Sequence, residues 1–368
     1  MNKIIFILSV VFLFSCKGKQ ELKEDINTKV IQAYLDGETV SPVRLSDYID
    51  SVSFIPIVSD SNVLVVNIAD IRYFKGHFYI LDLGQGSIIA VDERGNIVHV
   101  FCRQGRASGE YVSIGAFDVN PSNGDIHIYD DGLRQISIYD CCGTFLRKFA
   151  VQDVIRDFAV FSNGEYIFYT PDYMKGNRRG LWRVDRQGNF KEQLVSINEN
   201  FRYGGIYPKY LRRINDNVVS LMGGEDQDRI YHITEDSITI PYKLDIDRKI
   251  SEELKNGEKA ERSEKYAGVC YTKNNYMETD GLLMLTVTDM RKRVMVFYDK
   301  VNQKLDCVRK QDDLIEDIDV YTMPQYGNSG VMVGVLNVGF ILSLQVLQER
   351  FPFITVDSNP VLVVMRSK

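Results

Sequence analysis

The heptapeptide VDERGNI at residues 91–97 is the most informative part of the sequence, because two later stretches repeat its pattern. These are YDCCGTF at residues 139–145 and VDRQGNF at residues 184–190. Each has an apolar residue, Asp, two variable residues, Gly, a small polar residue and an apolar residue, and the glycines lie 48 and 45 residues apart. A glycine at a fixed place in a short polar stretch between β-rich runs suits a hairpin turn that needs positive φ. Recurrence at this period predicts the blades of a β-propeller.

The same spacing divides most of the chain into blades. Short apolar runs separated by turn residues, four to a blade, are typical of antiparallel sheets. Several runs are apolar on both faces, which fits sheets that are stacked between neighbours. The pattern predicts five blades, over residues 68–101, 114–149, 155–194, 210–244 and 282–308.

The two ends of the chain are strand-like but have no complete blade beside them. We predict that residues 50–58 (DSVSFIPIV) and 359–366 (NPVLVVMR) pair in one sheet and complete a sixth blade. An open ring would leave two long sheet edges unpaired. Pro56 has no amide donor, so the N-terminal strand should be the outermost strand of its sheet. The predicted fold class is therefore all-β, a six-bladed β-propeller closed by pairing of its N- and C-terminal strands.

Two segments interrupt the blade pattern. Residues 247–265 are rich in charge, which predicts a solvated loop or an exposed helix. Residues 330–347 are apolar enough to suggest a membrane span, but polar side chains interrupt them and no charged flank anchors both sides. We interpret residues 331–336 as a strand and residues 339–349 as a short helix before the last strand.

The first sixteen residues predict export and a lipid anchor. A lysine at position 3 precedes an apolar run at residues 4–14, which is too short to span a bilayer and is typical of a secretory signal peptide. The run ends in Ser15-Cys16 and resembles a bacterial lipoprotein signal, in which the cysteine is diacylated and becomes the first mature residue. The alternative is an ordinary cleaved signal with a coincidental cysteine. Residues 17–45 are polar and predict a flexible tether, followed by the propeller over residues 46–368.

Composition and charge argue against several classes of protein. The net charge is −6, and no basic cluster with interleaved aromatic residues is present, so a nucleic-acid partner is not expected. Apart from Cys16 there are five scattered cysteines, an odd number that does not suggest a disulfide framework. No catalytic or phosphate-binding motif occurs, and we predict no cofactor and no metal.

The chain resembles the six-bladed β-propeller lipoproteins of anaerobic Gram-negative gut-type bacteria, which are relatives of the NHL-repeat propellers. The lipoprotein start, the FIPI strand at residues 54–57, the D-x-x-G turns, RQGRASGEY at residues 103–111 and the terminal NPVLV at residues 359–363 carry the resemblance. It implies the same fold over nearly the whole mature chain. No acidic residue directly follows Cys16, which by analogy favours the outer membrane. Whether the propeller would face the periplasm or the exterior stays open.

The resemblance also raises an enzymatic alternative. Some NHL-like propellers are lyases or lactone hydrolases that hold a metal on the channel axis. Asp70, Asp118 and Asp157 recur near the starts of the first strands of three blades and are the best candidates for such ligands. The alternative, which we prefer, is that each carboxylate stabilises the turn before its blade. The four histidines lie in or beside predicted strands and are expected to be packed or exposed.

Aromatic and basic residues in the connections between blades are better candidates for ligand contact. These connections surround one mouth of a propeller channel, and Tyr and Arg offer stacking surfaces and forked donors for sugars, peptides or carboxylates. Local packing would explain the same residues equally well. The candidate ligand-binding residues are Arg103, Arg106, Tyr111, Arg202, Tyr203 and Tyr207.

The sequence therefore predicts a lipid-anchored envelope propeller that binds a glycan, a peptide or a partner envelope protein. The first alternative is a metal-dependent lyase or lactone hydrolase that acts in the same channel. The second is a purely structural subunit of an envelope complex.

Overall fold

A computed structural model of the chain shows a six-bladed β-propeller, so the predicted fold class is confirmed. The structure describes residues 27–37, 42–58, 63–171, 178–196, 210–222, 228–247, 272–288, 292–310, 314–315 and 321–368. Each blade is built on four antiparallel strands that follow one another along the chain, except that blade 6 takes its outermost strand from the N-terminus; blade 4 also gains a parallel fifth strand from there.

The chain begins with an N-terminal segment of three strands. These are β1 (Lys29–Gln32), β2 (Val43–Arg44) and β3 (Ile49–Pro56), and a single 3-10 turn over Leu45–Asp47 precedes β3.

The first three blades have four strands each, and their bounds lie within two residues of the predicted ones. Blade 1 consists of β4 (Ile68–Phe74), β5 (His77–Asp82), β6 (Ser87–Asp92) and β7 (Ile97–Phe101). Blade 2 consists of β8 (Ala116–Val119), β9 (Ile126–Asp130), β10 (Gln135–Tyr139) and β11 (Phe145–Ala150). Blade 3 consists of β12 (Asp157–Val160), β13 (Tyr166–Thr170), β14 (Gly180–Val184) and β15 (Phe190–Ser196).

The remaining strands complete the ring. Blade 4 consists of β16 (Leu211–Arg213), β17 (Val219–Met222), β18 (Arg229–Ile233) and β19 (Ile238–Asp245). Blade 5 consists of β20 (Thr272–Glu278), β21 (Leu282–Thr288), β22 (Arg293–Asp299) and β23 (Lys304–Val308). After them come β24 (Leu314–Ile315), β25 (Tyr326–Asn328), β26 (Val331–Leu336), α1 (Val338–Ser343), α2 (Gln345–Arg350) and β27 (Val361–Ser367).

Blade 6 closes the propeller in the predicted way. Its strand order is β25-β26-β27-β3, so the N-terminal strand is outermost and pairs with the C-terminal strand. Ser51 pairs with Arg366, and Pro56 pairs with Val361. Pro56 lies in an edge strand, which pairs with β27 on one side only. Its missing amide can therefore be accommodated on the unpaired side of the strand.

The repeated heptapeptide forms the turn between the third and fourth strands of blades 1 to 3. In blade 1 a carboxylate oxygen of Asp92 accepts the amides of Arg94 and Asn96 at 2.9 and 2.8 Å. Gly95 has a φ of +88°, and a Cβ there would lie 2.0 Å from the carbonyl oxygen of Pro56. The conserved spacing of Asp and Gly within the chain therefore reflects a turn that needs both a side-chain acceptor and a left-handed residue.

The core lies between the blades rather than inside one central layer. The described buried apolar residues form six clusters, and each cluster fills the space between two neighbouring blades. Between blades 2 and 3, for example, Trp182, Phe168, Phe158 and Tyr166 pack with ring centroids 5.9 to 6.4 Å apart.

The flexible tether predicted over residues 17–45 is wrong for its C-terminal part. β1 pairs in parallel with β19 as a fifth strand of blade 4, and β2 pairs with β24. Ile31, Ala33 and Leu35 are buried in the cluster between blades 4 and 5. Their alternation gives this polar segment one apolar face, which stabilises it on the propeller. We call residues 28–37 the N-terminal strap. The signal peptide, Cys16 and residues 17–26 lie outside the described residues.

The segment between β26 and β27 is helical, with one correction. The strand predicted over residues 331–336 is confirmed, but the single helix predicted over residues 339–349 is two short helices, α1 and α2, separated at Leu344. Within the part of the chain that the structure describes, no helix has both the length and the apolar character needed to cross a bilayer.

Candidate functional site

The two faces of the propeller differ in the length of their connections. Turns between first and second strands and between third and fourth strands lie on one face, which we call the short-turn face; only residues 75 and 76 separate β4 from β5. Connections between blades, and between second and third strands, lie on the opposite, long-loop face; residues 102–115 separate β7 from β8. Binding residues are concentrated on loops that a rigid scaffold positions. The long-loop face is therefore the candidate binding face.

The first connection between blades, which contains three of the predicted contact residues, is held in place by Tyr111. The Tyr111 side chain is 1% exposed and packs between blades 1 and 2. Its hydroxyl lies 3.0 Å from the carbonyl oxygens of Gly86 and Phe101 and 3.2 Å from the amide of Arg103. Burial raises the pKa of Tyr111 to about 12. The prediction that Tyr111 contacts a ligand is thus not supported by its position, because this side chain organises the loop from beneath.

Two of the other predicted contact residues lie on the long-loop face, and three lie outside the described residues. Arg103 and Arg106 are exposed on the long-loop face, where a ligand could reach them. Glu110 stabilises the turn that follows Arg106, since its carboxylate accepts the amide of Ala107 at 2.8 Å. Arg202, Tyr203 and Tyr207 lie outside the described residues.

The structure brings together a second group of residues on this face that the sequence did not single out. A cavity of about 410 Å³ lies between blades 6 and 1, a volume typical of small-molecule sites. Exposed apolar side chains of Leu64, Val66 and Val356 form part of its wall, and the half-buried Tyr326 also lines it. The remaining lining residues include Asn67, Gln325 and Asn337, which are exposed and whose side-chain amides make no hydrogen bond within the described residues.

The cavity residues come from four separate places in the sequence. They precede β4, precede β25, follow β26 and precede β27. One of them overlaps the NPVLV stretch at residues 359–363, but that stretch does not indicate a cavity, and only the closure of the ring brings the four places together. The one available signal in the sequence was the apolar character of residues 338–356, between β26 and β27, because a closed propeller places the connection between second and third strands on the long-loop face.

Buried charges occupy the axis of the propeller, where the first strands of the blades contact one another. Arg72 lies 3.0 Å from a carboxylate oxygen of Asp118 and also pairs with Asp70. Arg213 lies 2.8 Å from the other oxygen of Asp118. These interactions join blades 1, 2 and 4 across the axis, and all four side chains are at most 8% exposed.

The three aspartates considered as possible metal ligands are each engaged with arginines or backbone amides. Asp118 also accepts the amide of Val160 in blade 3 at 3.0 Å. Asp157 accepts the amides of Tyr210 and Leu211 in blade 4 at 3.0 and 2.9 Å. Within the described residues, no group of three His, Cys, Asp or Glu side chains could hold a metal ion. The preferred alternative was partly right: these carboxylates do bind backbone, but most of the amides belong to the next blade.

Two histidines, the buried His127 and the partly buried His232, lie between neighbouring blades. Burial lowers the pKa of His127 to about 3, and its Nδ1 lies 2.9 Å from the hydroxyl of Tyr166. His232 lies 2.8 Å from Glu278, which also pairs with Lys300 at 2.7 Å. Burial disfavours ionisation of Glu278, but the hydrogen bonds and charges of His232 and Lys300 outweigh it and lower the pKa. Both environments join neighbouring blades, as expected for packed histidines.

Comparison with known proteins places the chain in a family. A family profile described as "Domain of unknown function (DUF4934)" matches residues 28–366. The chain belongs to this family. The match begins where the N-terminal strap begins, so the family unit includes the segment that the sequence suggested to be a tether. The comparison with curated proteins found no match.

Solved structures share the fold. A Bacteroides fragilis protein inferred to be exported has a TM-score of 0.73 at 15% identity, covering 92% of this chain and 100% of its own. A member of the DUF4221 family from Bacteroides vulgatus has a TM-score of 0.52 at 10% identity, covering 87% and 97%. A gluconolactonase from Xanthomonas campestris has a TM-score of 0.43 at 9% identity, covering 92% and 97%, a similarity too low to bear on activity. Identities in this range inform on the fold alone.

Proposed function

We propose that the protein is an exported binding module whose long-loop face holds a glycan, a peptide or a partner envelope protein. The observation that carries this proposal is the cavity of about 410 Å³ between blades 6 and 1. The cavity is concave, lies on the long-loop face and has exposed aliphatic side chains in its wall. It also has three side-chain amides that make no hydrogen bond to any described residue.

The composition of the cavity wall favours a ligand with both apolar and amide or hydroxyl groups. Side-chain amides each offer two donors and one acceptor, which match peptide groups and sugar hydroxyls. Val356 is 78% exposed and Val66 is 58% exposed, so their apolar surface gains most from being covered by a ligand. Arg103 and Arg106 are exposed on the same face and could extend the contact surface to a larger partner.

The enzymatic alternative, a metal-dependent lyase or lactone hydrolase, has less support. It would require carboxylates that converge on a metal at the axis. Asp70 and Asp118 instead pair with arginines, and Asp157 accepts backbone amides. A binding role, in contrast, requires no rearrangement of these aspartates.

We further propose that the protein is anchored in the outer membrane through a lipid on Cys16. The sequence at residues 1–16 supports this, as does the fold shared with a Bacteroides fragilis protein inferred to be exported. Buried acyl carbons contribute about 0.8 kcal/mol each, so two or three chains anchor a protein stably. Cys16→Ala should leave the precursor unprocessed and should remove the protein from the membrane fraction; normal maturation of this variant would refute the anchor.

Binding at the cavity can be tested with a matched pair of substitutions. Val356 lines the cavity and is 78% exposed, whereas Val301 is 76% exposed in a turn on the short-turn face. We expect Val356→Asp to abolish binding of any ligand that wild-type protein captures on a glycan array or a peptide array. Val301→Asp should bind like the wild type.

Both variants change an exposed residue, so both should fold, which circular dichroism can check. Retention of binding by Val356→Asp, or equal loss in both variants, would contradict a site at this cavity. Wild-type protein that captures nothing on either array, but copurifies with one envelope complex in fixed stoichiometry, would support the structural-subunit alternative.

A further inference from the structure

Arg212 is a buried cation at the axis of the propeller, and its charge has no direct partner among the residues that the structure describes. It lies in β16 of blade 4, immediately after the buried Leu211. Arg72 and Asp118 follow the buried residues Ile71 and Phe117 in the first strands of blades 1 and 2. The side chains of Arg72, Asp118 and Arg212 therefore start from corresponding positions around the axis.

The side chain of Arg212 differs from those of its neighbours in its hydrogen bonds. Arg72 and Arg213 each bond to carboxylates. Arg212 is 7% exposed, yet within the described residues its guanidinium makes no hydrogen bond and no ion pair, and its Nη1 is fully enclosed without a partner. A buried guanidinium carries five donors, and leaving a buried charge unpaired is among the most unfavourable arrangements in a protein.

Among the described residues, none of the nearby carboxylates pairs with the Arg212 guanidinium. Asp118 is shared between Arg72 and Arg213, and Asp157 accepts backbone amides of blades 3 and 4. Burial lowers the pKa of Arg212; the charges of Asp70 and Asp157 oppose this shift, and that of Arg72 adds to it. The guanidinium is thus desolvated and lies beside another cation, so an additional anion would stabilise it.

We propose that Arg212 binds the carboxylate group of a small organic acid at the axis of the propeller. The guanidinium fork matches a carboxylate, which can accept two parallel N–H bonds from one arginine. A single negative charge fits better than a phosphate dianion, because three aspartates already lie near three arginines in this cluster. The ligand must be small, since the side chain that binds it is more than nine-tenths buried.

This site is distinct from the cavity proposed above, although the two are close. Tyr326 lines the cavity, and burial and the charge of Asp70 raise its pKa, whereas the charge of Arg212 lowers it. The carboxylate could thus belong to a free small acid or to one end of a larger ligand in the cavity. The shared chemistry is recognition of a carboxylate by Arg212.

The test compares acetate with acetamide, which has nearly the same shape and no charge. We expect acetate, titrated against wild-type protein at constant ionic strength, to bind at least about tenfold more tightly than acetamide. Arg212→Met should abolish this preference, because it keeps an apolar side chain of similar length without the donors. Arg212→Lys should retain part of it, because it keeps the charge without the fork. Arg94→Met, at an exposed turn residue, should behave like the wild type.

A crystal structure of wild-type protein grown in acetate gives a readout that does not depend on any variant. It should show a carboxylate within hydrogen-bond distance of the Arg212 guanidinium. Water alone at this position, an acetate preference that survives in Arg212→Met, or tighter binding of inorganic phosphate than of acetate would each overturn the proposal. The acetate preference is measured without any cavity ligand, so failure here and failure of the cavity site can be told apart.

Discussion

His127 shows how burial between blades changes the behaviour of a single residue. It lies in the second strand of blade 2, is 3% exposed, and contacts Tyr166 of blade 3 through one ring nitrogen, while its Nε2 has no partner. Burial lowers its pKa from 6.5 to about 3. The folded protein therefore keeps this ring neutral under conditions in which the unfolded chain binds a proton.

This difference predicts a pH-dependent loss of stability. Below pH 6.5 the unfolded state takes up a proton that the folded state does not, so the free energy of unfolding should fall by up to about 1.4 kcal/mol per pH unit until about pH 3. His127→Gln keeps a hydrogen-bonding side chain that does not titrate. Urea unfolding should show that wild type loses about 2 kcal/mol relative to this variant between pH 7 and pH 5. A difference that stays constant over this range would show that His127 is not desolvated as described.

Individual roles were the hardest feature to predict from the sequence. Asp70, Asp118 and Asp157 were recognised as a recurring set, but their arginine and amide partners are up to 95 residues away along the chain. Tyr111 was predicted to contact a ligand, yet its hydroxyl bonds to the backbone carbonyls of Gly86 and Phe101 beneath the loop. In both cases the residue type was visible, whereas the direction of the side chain depends on the neighbouring blade.

Among the single elements, the heptapeptide turns could be predicted from the sequence, whereas the N-terminal strap was missed. The heptapeptide turns were predictable because Asp92 and Gly95 interact within the turn itself. The strap was missed because its average composition is polar, although Ile31, Ala33 and Leu35 alternate as in a strand with one buried face. The break at Leu344, which divides the predicted helix at residues 339–349 into two, was missed because the sequence has no glycine or proline there to mark a helix boundary.

Truncating the side chain of Ile31 distinguishes a packed strap from a flexible tether by its effect on stability. Ile31 is fully buried between blades 4 and 5. If the strap is packed, Ile31→Ala should lower the free energy of unfolding by about 2–5 kcal/mol, because it leaves a cavity in the core. Val30 is 48% exposed in the same strand, so Val30→Ala should change it by about 0.5 kcal/mol or less. Urea denaturation of the two variants measures both values. Equal small effects would mean that residues 28–37 behave as a tether in solution.

The architecture of the whole molecule was the most predictable level. Repeats at 45 to 48 residues, together with strand-like ends, are sufficient to predict a closed ring of six sheets, and the ring in turn separates a short-turn face from a long-loop face. The positions of the cavity and of Arg212 could not be predicted in this way. Each depends on residues that become neighbours only when blade 6 meets blade 1 or when blade 4 reaches the axis.

Both proposed sites depend on the closure of the ring by β3 and β27, and a pair of engineered cysteines tests that closure. Ser51 and Arg366 are exposed and lie directly opposite each other in these strands. Opposed residues in an antiparallel pair have Cα atoms about 4.5–5.5 Å apart, which a disulfide can span, whereas residues two positions out of register are about 7–8 Å apart.

The measurement is disulfide formation under mild oxidation, detected by mass spectrometry of proteolytic fragments in a background without native cysteines. We predict that Ser51→Cys with Arg366→Cys crosslinks nearly completely and raises the unfolding midpoint, whereas Ser53→Cys with Arg366→Cys crosslinks poorly. Equal crosslinking of the two pairs, or none in the first pair, would contradict a propeller closed by its two ends.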